Sequence, residues 1–167
     1  MSIFHRTAVM KSGATLFLRA VLVLFGIGAL VLMLVEPHLE GRNAHATYFE
    51  IYFKDPFLAY AYIASIPFFV GLYHGIKVLG YAGRNKEFSP STLRSVRTIK
   101  YCAMSLIGFV VGAEIYIMSI ESDDRAGGVF MGVLIAFASI VVATAMAVLE
   151  RALQKAVDMK SENDLTV

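Results

Sequence analysis

The sequence has one cysteine, no tryptophan, four prolines and little charge: 17% of its 167 residues are charged and 57% are hydrophobic. A lone cysteine, Cys102, excludes a disulfide framework and a cysteine-ligated zinc site. The shortage of charge argues against a soluble domain, where about a quarter of residues are charged. It argues equally against disorder, which needs few apolar residues and much charge. A formal net charge of +2 is too small for the chain to hold nucleic acid directly. Catalytic patterns are missing as well. There is no G-x-S-x-G, no H-E-x-x-H and no pair of aspartates inside an apolar run, and Cys102 has no histidine beside it. The sequence therefore reads as non-enzymatic, with no cofactor.

What the chain has in quantity is long apolar stretches. Four of them, 13–35, 57–80, 98–120 and 127–149, reach the roughly 20 residues that a helix needs to cross a bilayer. Lipid satisfies no open backbone group, and the runs are continuous where strands would alternate, so each is expected to be a helix. The expected fold is all-α: an integral membrane four-helix bundle formed by residues 1–167 as a single domain. The first run follows Arg6 and Lys11 as a signal peptide would, but it is too long, and it leaves through Leu34-Val35-Glu36-Pro37 without a small-residue cleavage site. It reads as an anchor.

Basic residues set the orientation. Arg6, Lys11, Arg19, Lys77, Arg84, Lys86, Arg94, Arg97, Lys100, Arg151, Lys155 and Lys160 fall on one side, and Arg42, Lys54 and Arg125 on the other. The positive-inside rule puts the first group, and with it both termini, in the cytoplasm. Tyr48, Tyr52, Phe53, Phe57 and Tyr60 at the outer boundary fit an interfacial aromatic belt.

Three polar residues inside the spans are candidates for a site: Glu114, Tyr60 and His74. Glu114 sits about seven residues, or roughly 10 Å, below the outer surface, where an ionisable group is costly and faces a bundle interior or wet cavity. It reads either as a proton or cation site or as a structural glutamate held by Tyr60, Tyr62 or Ser65 of the second span. Tyr60, Ala64, Pro67, Gly71 and His74 share one stripe of that span, with Pro67 removing a backbone donor near mid-membrane. His74 has no second histidine in a span to complete a haem or metal site. In the third span Gly108-x-x-x-Gly112 is a close-packing motif, about 200° around the helix from Glu114. Burying both stripes needs either a central helix or a second copy, so a homodimer is one expectation. Outside, Glu36, His38, Glu40, His45, Asp123 and Asp124 gather acidic and imidazole groups without matching a metal motif, and no metal site is expected.

On the cytoplasmic side, Ser89-Pro90-Ser91-Thr92 reads as a helix start, with a capping hydroxyl and proline in the first turn. The fourth helix is expected to continue to about residue 160, with Met146, Leu149, Leu153 and Ala156 on a seam and Glu150, Arg151, Lys155 and Asp158 on the other faces. The chain ends in Asp164, Leu165, Thr166 and Val167, a short recognition tail for a partner or a frayed end.

Phe130-Met131-Gly132, Glu150-Arg151, the ending from Lys160 to Val167, Arg125-Ala126-Gly127-Gly128 and Lys100-Tyr101-Cys102-Ala103 together resemble a bacterial family of small membrane proteins, domain of unknown function 2975. The resemblance is most specific from about residue 97 onward. It implies four membrane helices with no assigned activity or functional residues. It also implies a small helix-turn-helix regulator, of the Cro/CI type, as a cytoplasmic partner. Two functions follow as expectations: a membrane tether or sensor for such a regulator, or a small transporter or channel component working through Glu114.

Overall fold

The computed structural model describes residues 2–39, 47, 49–50, 56–84, 86–119 and 125–164, with side chains of 13–35, 47, 49–50, 56–84, 86–119, 125–159 and 161–162. Four helices account for nearly all of it: α1 Ser2–Leu39, α2 Pro56–Ala82, α3 Pro90–Ser119 and α4 Arg125–Asp164. No strand occurs among the described residues. Each helix is long and apolar enough to cross a membrane. At 1.5 Å per residue α4 is about 60 Å long, twice the hydrocarbon thickness of a bilayer. The helical rod therefore continues well past the apolar run 127–149. Likewise α1 begins eleven residues before its apolar run starts at Gly13.

The helices pack in chain order, with α3 between α2 and α4 and with α1 laid on α2. Neighbours run antiparallel, as the contacts along each seam record. A Cβ at Gly26 or Gly75 would touch Leu72 or Leu22 across the α1–α2 seam, and one at Gly71 would touch Cys102 across the α2–α3 seam. On the α3–α4 seam Gly128 stands against Ile117. Bare glycines thus let the backbones close up, the means of association left where lipid is as apolar as leucine. Phe25 adds an edge-to-face contact with Phe68 at 5.8 Å. α2 runs through Pro67 as one helix.

Most of the apolar surface stays exposed in the isolated chain, including Leu16, Phe17, Phe137 and Val148. Those side chains are the lipid-facing surface of a membrane protein. The buried residues are concentrated elsewhere. Thr92, Leu93, Ser95 and Val96 are buried at the start of α3, where Leu93 and Val96 pack with Leu153 of α4, flanked by Val78 and Met146, and Val96 is 0% exposed. This cluster lies at the end of the molecule that gathers Arg19, Arg84, Arg97 and Lys155, called here the basic end.

The short turn between α2 and α3 is closed by its own backbone. Gly83 N–H donates to Leu79 O at 3.1 Å, and Arg84 and Lys86 both donate to Tyr81 O, at 3.1 and 2.9 Å. Ser89 then caps α3: its Oγ accepts from Thr92 N–H at 3.3 Å, with Pro90 in the first turn. Thr92 Oγ1 donates back to Lys86 O at 2.9 Å. The helix start read from Ser89-Pro90 is the one that forms.

Candidate functional site

The central position of α3 decides where its polar residues point. Gly112 faces α2, because a Cβ there would run into the Tyr60 hydroxyl. That hydroxyl donates to Phe109 O at 2.7 Å, and the Tyr60 ring stands edge-on to Phe109 at 5.8 Å. One turn away Phe57 stacks on Tyr116 at 5.5 Å. The two described members of the expected aromatic belt therefore turn inward and pack on α3. Tyr48, Tyr52 and Phe53 lie outside the described residues.

Glu114, two residues past Gly112, is carried about 200° round the helix and so faces α4. Its carboxylate occupies the space a Cβ would take at Gly132. Both carboxylate oxygens are buried, and neither has a hydrogen-bond partner. The hydroxyls of α2 are committed elsewhere: Tyr60 to Phe109, Tyr62 to Met33 O at 2.8 Å and Ser65 to Tyr62 O at 2.7 Å. A glutamate held by α2 is thereby corrected to one wedged into a glycine notch of α4. The angular separation between Gly112 and Glu114 requires it.

His74 lies on the stripe of α2 that holds Gly71 and Val78, both of which meet α3 or its cluster. Its Nδ1 is buried without a partner. Gly71 is level with Cys102, so His74 sits roughly 20 Å from Glu114 along the helix axes at 1.5 Å per residue. The three candidates therefore do not form one site. Tyr60 and Glu114 share a depth but occupy opposite faces of α3, and His74 belongs to the other half of the membrane. Asp164 closes α4, and the tail read from Asp164 through Leu165, Thr166 and Val167 lies outside the described side chains. The loop residues His45, Asp123 and Asp124 lie outside the described residues as well.

A second polar constellation escaped the pattern of the sequence. Glu150 of α4 accepts from Arg97 Nε at 2.7 Å and from Lys100 Nζ at 2.6 Å, both on α3. Its side chain is 15% exposed and that of Lys100 19%, so this pair is largely removed from solvent, whereas Arg97 is half exposed. Glu150 lies just beyond the 127–149 run. The hydrogen bonds from Lys100 first, then Arg97, hold its carboxyl below the usual carboxylate range. Lys100 also lies 4.7 Å from the centroid of the Tyr101 ring. The clue in the sequence was depth. Lys100 enters the third apolar run as Glu150 leaves the fourth, and antiparallel neighbours bring such positions level.

With that geometry established, comparison with known proteins places the chain. Residues 18–167 match the family described as Protein of unknown function (DUF2975). The chain is 39% identical over 160 residues to the uncharacterized membrane protein YoaS of Bacillus subtilis (strain 168), an alignment covering 95% of this chain and 100% of the relative. No solved structure matches. Four membrane-length helices and a family match running from the first span to the C-terminus lead to one conclusion: the chain is a membrane protein belonging to the DUF2975 family.

Proposed function

We propose that this is a non-enzymatic protein of the bacterial plasma membrane, with both termini in the cytoplasm, whose basic end is a docking platform for a small soluble partner. The observation that carries the reading is where the molecule spends its packing. Its largest fully buried side chain, Val96, and the apolar cluster it forms with Leu93 and Leu153 lie not at mid-span but where α4 leaves the apolar run. There the Arg97–Glu150–Lys100 clamp ties the extension of α4 to the start of α3. A helix held rigid beyond the bilayer supports presentation of a surface, since burial at that end contributes nothing to crossing the membrane. A small helix-turn-helix regulator is the partner that the family resemblance implies. Deleting residues 161–167 is expected to leave membrane insertion intact and to remove the partner from a crosslinked, mild-detergent pull-down. Unchanged recovery of the partner would count against the tail.

A second reading, a proton or cation site in a small transporter or channel component, is favoured by one observation: the two buried, unpartnered oxygens of Glu114. On that reading Glu114→Gln abolishes a pH-dependent flux in proteoliposomes while assembly is unchanged, and flux equal to wild type would refute it.

A further inference from the structure

Two pairs of cations at the basic end differ in what faces them. Arg97 and Lys100 are neutralised by Glu150. Arg19 and Arg84, which stand 65 positions apart in the sequence, converge where α1 crosses the end of α2, and among the described residues no acidic side chain lines the space between them. Arg19 reaches across from α1 so that its guanidinium lies where a Cβ at Gly80 would be, and its Nε is buried without a partner. Gly83, one turn on, likewise carries no side chain and faces the Thr15 methyl. The two missing side chains leave a half-enclosed cavity of about 230 Å³, walled by Thr15, Leu16, Arg19, Gly80, Gly83 and Arg84.

This chemistry is specific in sign and shape. Two guanidinium groups repel each other across a gap unless an anion lies between them, and a planar fork of N–H donors fits phosphate oxygens. The carbonyls of Leu79 and Tyr81 already accept backbone amides of the turn, so they are poorly placed to serve as counter-charges for the arginines. The depth is also that of a headgroup. Gly80 is in the last turn of α2, and Leu16 beside it is 68% exposed on the lipid-facing side of α1. Basic pockets between membrane helices at this level bind anionic headgroups.

We propose that this α1–α2 cavity is a phosphate site, taking the phosphate of an anionic phospholipid headgroup between Arg19 and Arg84, with free inorganic phosphate offering the same chemistry. The test uses the purified full chain in phosphatidylcholine nanodiscs, with and without phosphatidylglycerol. Phosphatidylglycerol is expected to raise the melting temperature and to remain bound in native mass spectrometry. Arg19→Gln should weaken that binding about tenfold, the scale of one lost charge-assisted pair. Gly83→Leu fills the cavity while keeping both arginines and should have the same effect. Arg84 is exposed, so Arg84→Gln weakens binding without disturbing helix packing, and melting in pure phosphatidylcholine confirms that each variant is folded. A parallel titration of inorganic phosphate in phosphatidylcholine discs separates the sources. Protection by phosphate with the same Arg19 dependence, and none from phosphatidylglycerol, assigns the site to the free ion. Failure of both ligands overturns the proposal, as does wild-type binding by Arg19→Gln. Loss in Arg19→Gln with wild-type binding in Gly83→Leu also overturns it, because the effect is then surface charge and not a cavity.

Discussion

The two outer seams of this molecule are built differently. Between α3 and α4 charges pair, Arg97 and Lys100 with Glu150, while Glu114 is wedged without a hydrogen-bond partner into a notch at Gly132. The hydrophobic cluster of Leu93, Val96 and Leu153 sits at the end of that seam. Between α1 and α2 the contacts are leucine–glycine touches, the Phe25–Phe68 ring pair and the Tyr62–Met33 hydrogen bond, and the charge that enters, Arg19, has a buried Nε with no partner beside a cavity. In lipid, apolar side chains lose little by facing outward, so helices are held by close backbone approach and by polar pairing. The α3–α4 seam uses both. Among the described residues the α1–α2 seam has the Tyr62–Met33 hydrogen bond but no ion pair, which leaves it the better place for something small to enter.

The largest effect is expected at Gly132. A leucine there must evict the Glu114 carboxylate from its buried position and push α4 from α3, so Gly132→Leu should cost about 3 kcal/mol, the upper range for overpacking. Gly28→Leu on α1 faces nothing within 4 Å and should cost close to nothing. Thermal melting of both variants in detergent checks the contrast; comparable losses would break it.

Much of this arrangement was legible in the sequence, and the part that was not has a physical reason. Length and apolarity locate the four helices, because a bilayer tolerates no other backbone. The Ser89-Pro90 start was readable because its capping is local to four residues. The seam of α4 was readable in part: Met146 and Leu153 pack at the cluster, while Leu149 is 37% exposed. Partners across seams were harder. Periodicity within one helix says which residues share a face but not which neighbour that face meets. Glu150 thus read as a decorated outer face and proved to be the centre of the clamp. Of the two readings of Glu114, a proton or cation site and a structural glutamate held by α2 hydroxyls, the second overlooked that its angle from Gly112 already turned it towards the opposite side.

A smaller effect is expected from the clamp itself. Glu150→Gln removes the charge that Lys100 and Arg97 share and leaves Lys100 largely out of solvent, a loss of about 1 to 2 kcal/mol. Arg97→Gln should cost no more than about 0.5 kcal/mol, because that partner is half exposed. The pH dependence has a definite sign. The Glu150 carboxyl is held below its ordinary range, so its contribution is complete above about pH 4.3 and is lost as pH falls through the lowered value. The stability gap between wild type and Glu150→Gln should therefore stay constant from neutral pH down to about 5 and close in stronger acid. A gap that closes between pH 7 and 6 would assign the effect to some other group.

The smallest effect separates the two glycines of Gly108-x-x-x-Gly112. Spaced four apart, they read as one close-packing surface, yet the chain uses them unequally. Gly112 lies under the Tyr60 hydroxyl, so Gly112→Leu must displace a half-buried tyrosine and break its bond to Phe109. Gly108 has nothing within 4 Å of the position of a Cβ. Gly108→Leu should thus leave the melting temperature of the monomeric chain unchanged, within about 0.5 kcal/mol, as for other surface substitutions. If a second copy of the chain packs on α3, Gly108 is the bare position it would use. Crosslinking of the variant in native membranes then reads the dimer separately from the fold. A Gly108→Leu protein that melts like wild type but no longer crosslinks to itself would assign the motif's two halves to different tasks, Gly112 to the fold and Gly108 to assembly. Destabilisation of the monomer by Gly108→Leu would mean instead that α3 is enclosed more completely than its two seams with α2 and α4 provide.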